Sequence, residues 1–338
     1  MNASIDYGGY GMMKLSIDQL RSVTHGALRL EKTDIGVRFW RMTEEQIQWY
    51  RDRGDEHQAL GAMQSAGIRL AFWTDSRAVT FGATLWPDTS GIYGGFDVCE
   101  DGAMIAHLDT EYNDGTTFCV PLSEGEHLVE IYLPWSKGVT LRELSIDDGA
   151  TLRPYHRSHK LLAFGDSITH GAHAKHPSLS YITRLANMLD ADLDNRGVGG
   201  DKFDAHIVEL EPMTDPDIVT VAYGTNDWRH LPRERFDREC QKTFEVLAKR
   251  YANARIFVIS PIWRADWKGE NCMEIPMREI YPLLCDYARP YSNFTVIDAW
   301  NFVPHLHDFF GDGVLHPNDL GMSCYAEGVY REIMKALC

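Results

Sequence analysis

Two rhythms of apolar residues divide the chain. Between about residues 25 and 150, short segments rich in β-branched and aromatic residues alternate apolar with polar positions, at 68–76, 78–86, 94–109, 116–122, 126–135 and 139–149. A period of two marks a strand with one buried face. Turn signals separate these segments at Asp101-Gly102, Asp114-Gly115, Glu124-Gly125 and Asp148-Gly149. The spacing predicts an antiparallel β-sandwich, jelly-roll-like, interrupted by one helix. That helix starts at Thr43, where Thr43 and Gln46 match a capping box ahead of "IQWYRDRG".

After "LRPYHRSHK" (152–160) the rhythm changes. Continuous apolar runs at 160–165, 217–224, 254–260 and 294–300 alternate with helical patterns at 178–190, 233–252, 273–289 and 318–337. Uninterrupted apolar strands between helices predict a parallel sheet covered on both faces, an α/β domain. The expected division is a sandwich domain over 1–155 and an α/β domain over 156–338. Functional residues of such a sheet gather at the carboxyl ends of its strands.

Composition narrows the picture. The chain has 338 residues, enough for two domains. No run approaches the roughly 18–20 apolar residues that span a bilayer. The start, "MNASIDYGGYGMMKLSIDQL", lacks a basic region followed by an apolar core, so a cytoplasmic location is expected. Seven scattered cysteines form no C-x-x-C pair, which predicts reduced thiols and no zinc ribbon. A formal charge of −16 repels phosphate backbones and anionic lipid. Nucleic acid and membrane surfaces are therefore disfavoured as partners, a neutral substrate fits better, and a homo-oligomer is left open.

The chemistry sits in four loops. "LLAFGDSITHG" (161–171) ends a buried strand on Ser167; "NRGVGGD" (195–201) follows the next; "YGTNDW" (223–228) follows the third; "FFGDGVLHPND" (309–319) carries His316 up to the last helix. Singly each reads blandly, Ser167 as a helix cap or Gly200 as a turn residue. Together they supply what acyl transfer needs. A serine hydroxyl becomes a nucleophile when a base such as histidine takes its proton. The oxyanion that forms needs fixed donors, which a close-approaching glycine N–H and an asparagine amide provide. An α/β-hydrolase elbow, G-x-S-x-G, is not matched by "FGDSITHG".

The ordered blocks "FGDSIT", "NRGVGG", "GTND" and "HPND" resemble the SGNH (GDSL-type) hydrolase superfamily over about 158–338. The resemblance implies a flavodoxin-like three-layer α/β/α fold, Ser167 as nucleophile, and His316 as base. It also implies an oxyanion hole made by Ser167, Gly200 and Asn226, and no cofactor. One departure stands out. The family usually has D-x-x-H, whereas "DGVLH" sets Asp312 four residues before His316, with Gly313 in the usual acid position. A bulge that absorbs the extra residue keeps Asp312 as the orienting acid. The alternatives are a backbone carbonyl, as in some two-domain carbohydrate esterases, and Asp308.

His170, His173 and His176 are three apart but lie in a loop ending at Pro177, so pocket-wall or loop roles are expected and no metal site. Trp263, and Trp228 beside the third block, are expected to line the acyl or sugar pocket or else to be packed indoles. Trp73, Trp86 and Trp135 are expected to fill the sandwich core rather than form a sugar platform. The sandwich preceding the hydrolase domain resembles the layout of carbohydrate esterases that remove acetyl groups from plant polysaccharides. The expected function is thus a serine esterase taking O-acetyl groups from oligosaccharides. The alternatives are a carboxylesterase or lysophospholipase, and a carbohydrate-binding protein with a degenerate hydrolase domain.

Overall fold

The computed structural model describes residues 11–86, 93–109 and 117–338. The Asp114-Gly115 turn, the start of the 116–122 segment and the first ten residues lie outside them. Among the described residues, two antiparallel six-stranded sheets precede residue 155. One is built around Val139–Asp147 and Ala78–Leu85, the other around Arg69–Thr74 and His127–Tyr132. Period-two alternation buries one face of each. Leu70 and Phe72 of one sheet and Val79 and Phe81 of the other share a core with Val129 and Ile131. The 94–109 segment is two strands, Phe96–Glu100 and Ala103–Leu108. Asp101 and Gly102 join them at φ 49° and 81°, the left-handed pair that a tight two-residue hairpin requires.

The second half forms a five-stranded parallel sheet: β1 (His159–Gly165), β2 (Ala191–Asn195), β3 (Ile218–Ala222), β4 (Arg255–Ile259) and β5 (Phe294–Ile297). The spatial order β2-β1-β3-β4-β5 is the flavodoxin-like one, with its switch point between β1 and β3. Apolar clusters lie on both faces of this sheet. Ser167 leaves β1 at the switch point, so topology alone sets it in a crevice.

The capping box is present: Thr43 Oγ1 accepts the Gln46 N–H at 3.1 Å, and Gln46 Oε1 accepts the Thr43 N–H at 3.0 Å. The buried residues of its helix, Glu44–Asp52, and of a second one, Glu56–Ala62, do not belong to the sandwich core. Ile47, Tyr50, Ala59 and Ala62 share a core with Leu162, Phe164 and Val219 of the parallel sheet. Arg41 secures this graft from a fully buried position. Its guanidinium donates to the carbonyls of Gly61 (2.7 Å), Gln64 (2.8 Å) and Asn195 (2.9 Å). Burial, then the nearby Arg196, lowers Arg41 to about 9, which leaves it charged at neutrality. The first half thus contributes part of the α/β core, a feature the strand rhythm does not reveal.

A polar seam joins the two halves. Arg69 bridges Glu130 and Asp192 at 2.5 Å each, and Arg157 reaches Glu130 at 2.9 Å. His170 is buried elsewhere along the junction, edge-on to Trp135 and 3.4 Å from Arg41 Nη2. Burial first, and Arg41 second, hold it well below 6.5. Because the folded state binds that proton less readily than the unfolded chain, His170 stabilises above about pH 6.5, and the contribution is lost on acidification. Thermal melts from pH 7.5 to 5 should therefore fall more steeply for the wild type than for His170→Gln. Equal slopes would contradict the assignment.

Candidate active site

Ser167 is the first residue of the short helix Ser167–His170, and Asp166 caps that helix by accepting the Ile168 N–H at 3.0 Å. Ser167 is therefore not the cap, and its hydroxyl is free for other work. Its Oγ lies 2.9 Å from His316 Nε2. His316 Nδ1 lies 2.7 Å from Asp312 Oδ2. The other Asp312 oxygen accepts the N–H groups of Val314, Leu315 and His316 at 2.8–3.1 Å. The extra residue of "DGVLH" is absorbed in this turn, which folds around one carboxylate oxygen. Burial would raise the Asp312 pKa, but the hydrogen bonds with His316 and the amides of Leu315 and Val314 outweigh it, holding the carboxyl far below the usual range. Asp308 is not placed at His316. Its carbonyl instead accepts from Asn318, the N-cap of the final helix.

The loop after β2 is clamped to the loop after β1. Asn195 donates to the Thr169 carbonyl at 2.9 Å and accepts the Gly197 N–H at 2.8 Å, while the Val198 N–H donates to Gly165. A Cβ at Gly197 would lie 2.5 Å from the backbone nitrogen of His170, so only glycine permits this approach. Gly200 has φ +81°, a left-handed conformation that costs glycine little. Among the described residues, the N–H groups of Ser167 and Gly200 donate to no protein acceptor. Asn226 stands on the helix Thr225–His230 after β3. One hydrogen of its amide is engaged, since Nδ2 donates to the Asp201 carbonyl at 3.0 Å; the second is uncommitted.

Behind these donors lies a buried acidic layer. Tyr50 donates to Asp201 at 2.9 Å, and Asp227 accepts the N–H groups of Gly224 and Phe203 at 3.0 and 3.1 Å. Burial raises Asp201 to about 6 and Asp227 to about 7. Asp227 therefore organises its loop, as a carboxyl at that depth should.

The three histidines of 170–176 do not converge. His170 is in the seam, and His176 bonds Asp319 at 2.7 Å and contacts the His107 ring. His173, at φ +67°, stacks on His316 with ring centroids 5.1 Å apart and planes 12° apart. It thus braces one face of the imidazole, a role that spacing alone could not reveal. His173, Asp312 and His316 offer ligand atoms within 4.8 Å of one another, but the hydrogen bonds above already occupy both Asp312 oxygens.

Trp228 corrects an expectation. It is fully buried, with its indole N–H on the Ile275 carbonyl at 2.9 Å, and so cannot line a pocket. The helix Thr225–His230 turns Asn226 outward and Trp228 into the core. Trp263 is half-buried after β4 and stacks on His305 at 4.9 Å. Trp135 is buried against the Ala174 carbonyl rather than in the sandwich core, and Trp86 lies under Arg38. No motif in the sequence marks His57. A Cβ at Gly199 would be 3.8 Å from His57 Cε1 and 4.0 Å from Ser167 Cβ, so the Glu56–Ala62 helix borders the serine.

The arrangement holds a hydroxyl, an imidazole, a carboxylate and uncommitted N–H donors at one sheet edge, a set suited to acyl transfer. Residues 163–323 match the GDSL-like Lipase/Acylhydrolase family, and residues 22–142 match the SsfX3 N-terminal domain. The fold resembles the salicylyl-acyltransferase SsfX3 from a tetracycline biosynthetic pathway, with TM-score 0.81 and 20% identity over 97% of each chain. A Bacteroides ovatus protein provisionally assigned as a GDSL-like lipase gives TM-score 0.77 and 18% identity, over 97% of this chain and 98% of that one. An acetyl xylan esterase from the rumen bacterium Butyrivibrio proteoclasticus gives 0.64 and 14%, over 97% and 98%. No curated protein sequence matches the chain. Among the described residues, no helix is long and apolar enough to cross a membrane.

Proposed function

We propose, from the match of residues 163–323 to the GDSL-like lipase/acylhydrolase family, that the protein is a cytoplasmic serine esterase removing O-acetyl groups from oligosaccharides. The observation that carries this reading is the unbroken chain from Ser167 through His316 to Asp312. It supports an active enzyme over a degenerate one. Ser167 Oγ attacks the acetyl carbonyl while His316 Nε2 takes its proton. The resulting oxyanion is held by the N–H groups of Ser167 and Gly200 and the Asn226 amide. His316 returns the proton to the departing sugar hydroxyl, leaving acetyl-Ser167. Water, deprotonated by His316, then releases acetate and restores the serine.

Asn226→Ala should lower kcat about 10²–10³-fold with KM little changed, because its donor strengthens as the oxyanion forms. A tenfold rise in KM at constant kcat would place Asn226 in ground-state binding instead.

The substrate reading is tested on acetylated xylo- and manno-oligosaccharides beside esters of increasing acyl length. Release of acetate with a sharp decline beyond short acyl chains is expected. Turnover of long-chain or lysophospholipid esters without acetate release would refute it. The match of residues 22–142 to the SsfX3 N-terminal domain favours a second reading, in which an alcohol replaces water as the acyl acceptor. Counting acylated alcohol against free acid in the presence of candidate acceptors separates the two.

A further inference from the structure

We propose that a cation-lined pocket beside the oxyanion loop binds a carboxylate or phosphate carried by the alcohol part of the substrate. The inference rests on the ester-hydrolase reading and narrows its substrate to acetylated acidic sugars.

The pocket has a volume of about 720 Å³ and is lined in part by Arg53, Lys202, His230, Arg235 and Lys242. Four guanidinium or ammonium groups there face three carboxylates, Asp55, Asp204 and Glu239, in a chain whose overall charge is −16. The carboxylates are largely committed. Asp204 pairs with Arg53 at 2.5 Å, Glu239 accepts from Arg238, and Asp55 caps the Glu56–Ala62 helix. Arg235 and Lys242 are exposed and, among the described residues, pair with no carboxylate. They lie seven residues apart on the helix Arg233–Arg250, and so on one face. Among the described residues, the Lys202 ammonium donates only to the Gly200 carbonyl, at 3.1 Å. The local field is positive as well: burial first, then Lys202, Arg229 and Arg264, hold His230 below its ordinary value.

Position ties this pocket to the reaction. Lys202 is two residues beyond Gly200 and touches its carbonyl. His230 is one helical turn beyond Asn226. The two loops that present the oxyanion donors thus also form the near wall of the pocket. An acetylated sugar with its ester at Ser167 can extend its acidic group past Gly200 and Asn226 toward Arg235 and Lys242. Charge-assisted hydrogen bonds from such cations are strong and weaken with salt.

The test compares three acetylated substrates on the full-length protein: a methyl glucoside, a methyl glucuronoside and a glucose phosphate, with 4-nitrophenyl acetate as a neutral reporter. Wild type is expected to favour at least one acidic sugar over the glucoside by about tenfold in kcat/KM, mostly through KM, and to lose the preference in high salt. Preference for the glucuronoside alone identifies a carboxylate site, and for the phosphate alone a phosphate site. In the double variant Arg235→Gln with Lys242→Gln, the acidic-to-neutral ratio should collapse toward one; the ratio cancels any general loss of folded protein. Equal rates on acidic and neutral sugars, or an unchanged ratio in the variant, would overturn the pocket. If 4-nitrophenyl acetate is also inert to wild type, the hydrolase reading itself fails.

Discussion

Replacing Ser167 with alanine should lower ester turnover by at least about 10⁴-fold while leaving the fold intact. The loss is large because, among the described residues, His316 Nε2 bonds no hydroxyl but that of Ser167, at 2.9 Å. A water cannot replace the covalent intermediate, and only the oxyanion donors remain to assist it. The fold should persist for a local reason. Asp166, not Ser167, caps the helix Ser167–His170, and alanine is favourable at a helical position. Stability should change by no more than about 0.5 kcal/mol. Single-turnover kinetics and a thermal melt on the same preparation check both halves. A fluorophosphonate should label Ser167 in the wild type and nothing in the variant. Residual activity above about one per cent with a native melt would remove Ser167 from the mechanism.

Asp312→Asn should have the next largest effect, a drop of about 10³–10⁴ in kcat. The substitution is nearly isosteric, and its carbonyl oxygen can still accept the three turn amides that Asp312 Oδ1 now holds. The loop therefore survives. The amide nitrogen, however, replaces the oxygen facing His316 Nδ1 at 2.7 Å. A donor there forces the lone pair of His316 onto Nδ1 and the proton onto Nε2, so the imidazole can no longer take the proton of Ser167. Asp312→Ala is less informative, since it also removes the acceptor around which the turn folds. A loss of tenfold or less in Asp312→Asn would show that a backbone carbonyl orients the ring and that the carboxylate merely builds the turn. The wild-type carboxyl, held far below its ordinary range, stays ionised through the working pH range, so its own titration should add no acidic limb to the rate profile.

The helical graft shows where sequence reading has to stop. The capping box at Thr43 is a local signal, because both hydrogen bonds close within three residues. Where the capped helix docks is not local. Ile47 and Tyr50 are apolar on one face, and that face suits either half of the molecule. The docking against Phe164 and Val219 goes with bonds across the halves: Arg41 donates to the Asn195 carbonyl, Gln46 to Glu211, Trp49 to Asp204 and Tyr50 to Asp201. Trp228 makes the same point from the opposite direction. Its place beside "GTND" suggests a pocket wall, yet its orientation is set by the helix phase: Asn226 faces the reaction edge, and two residues on, roughly 200° around the helix, Trp228 faces the core.

The sequence by itself determined the alternation of strand and helix, the change from period-two to continuous apolar runs, and the order of the four loop blocks, because each depends on residues that are neighbours in the chain. Only the tertiary structure decided that Asp312 reaches His316 across an extra residue, that His173 braces it, and that a cationic pocket sits on an acidic protein. Asp312 and His316 are only four residues apart, but that spacing allows more than one turn; the other outcomes rest on contacts between distant segments, such as His173 with His316, 143 positions apart. Sheet order, burial and pairing of charges set such contacts, and local pattern carries no record of them.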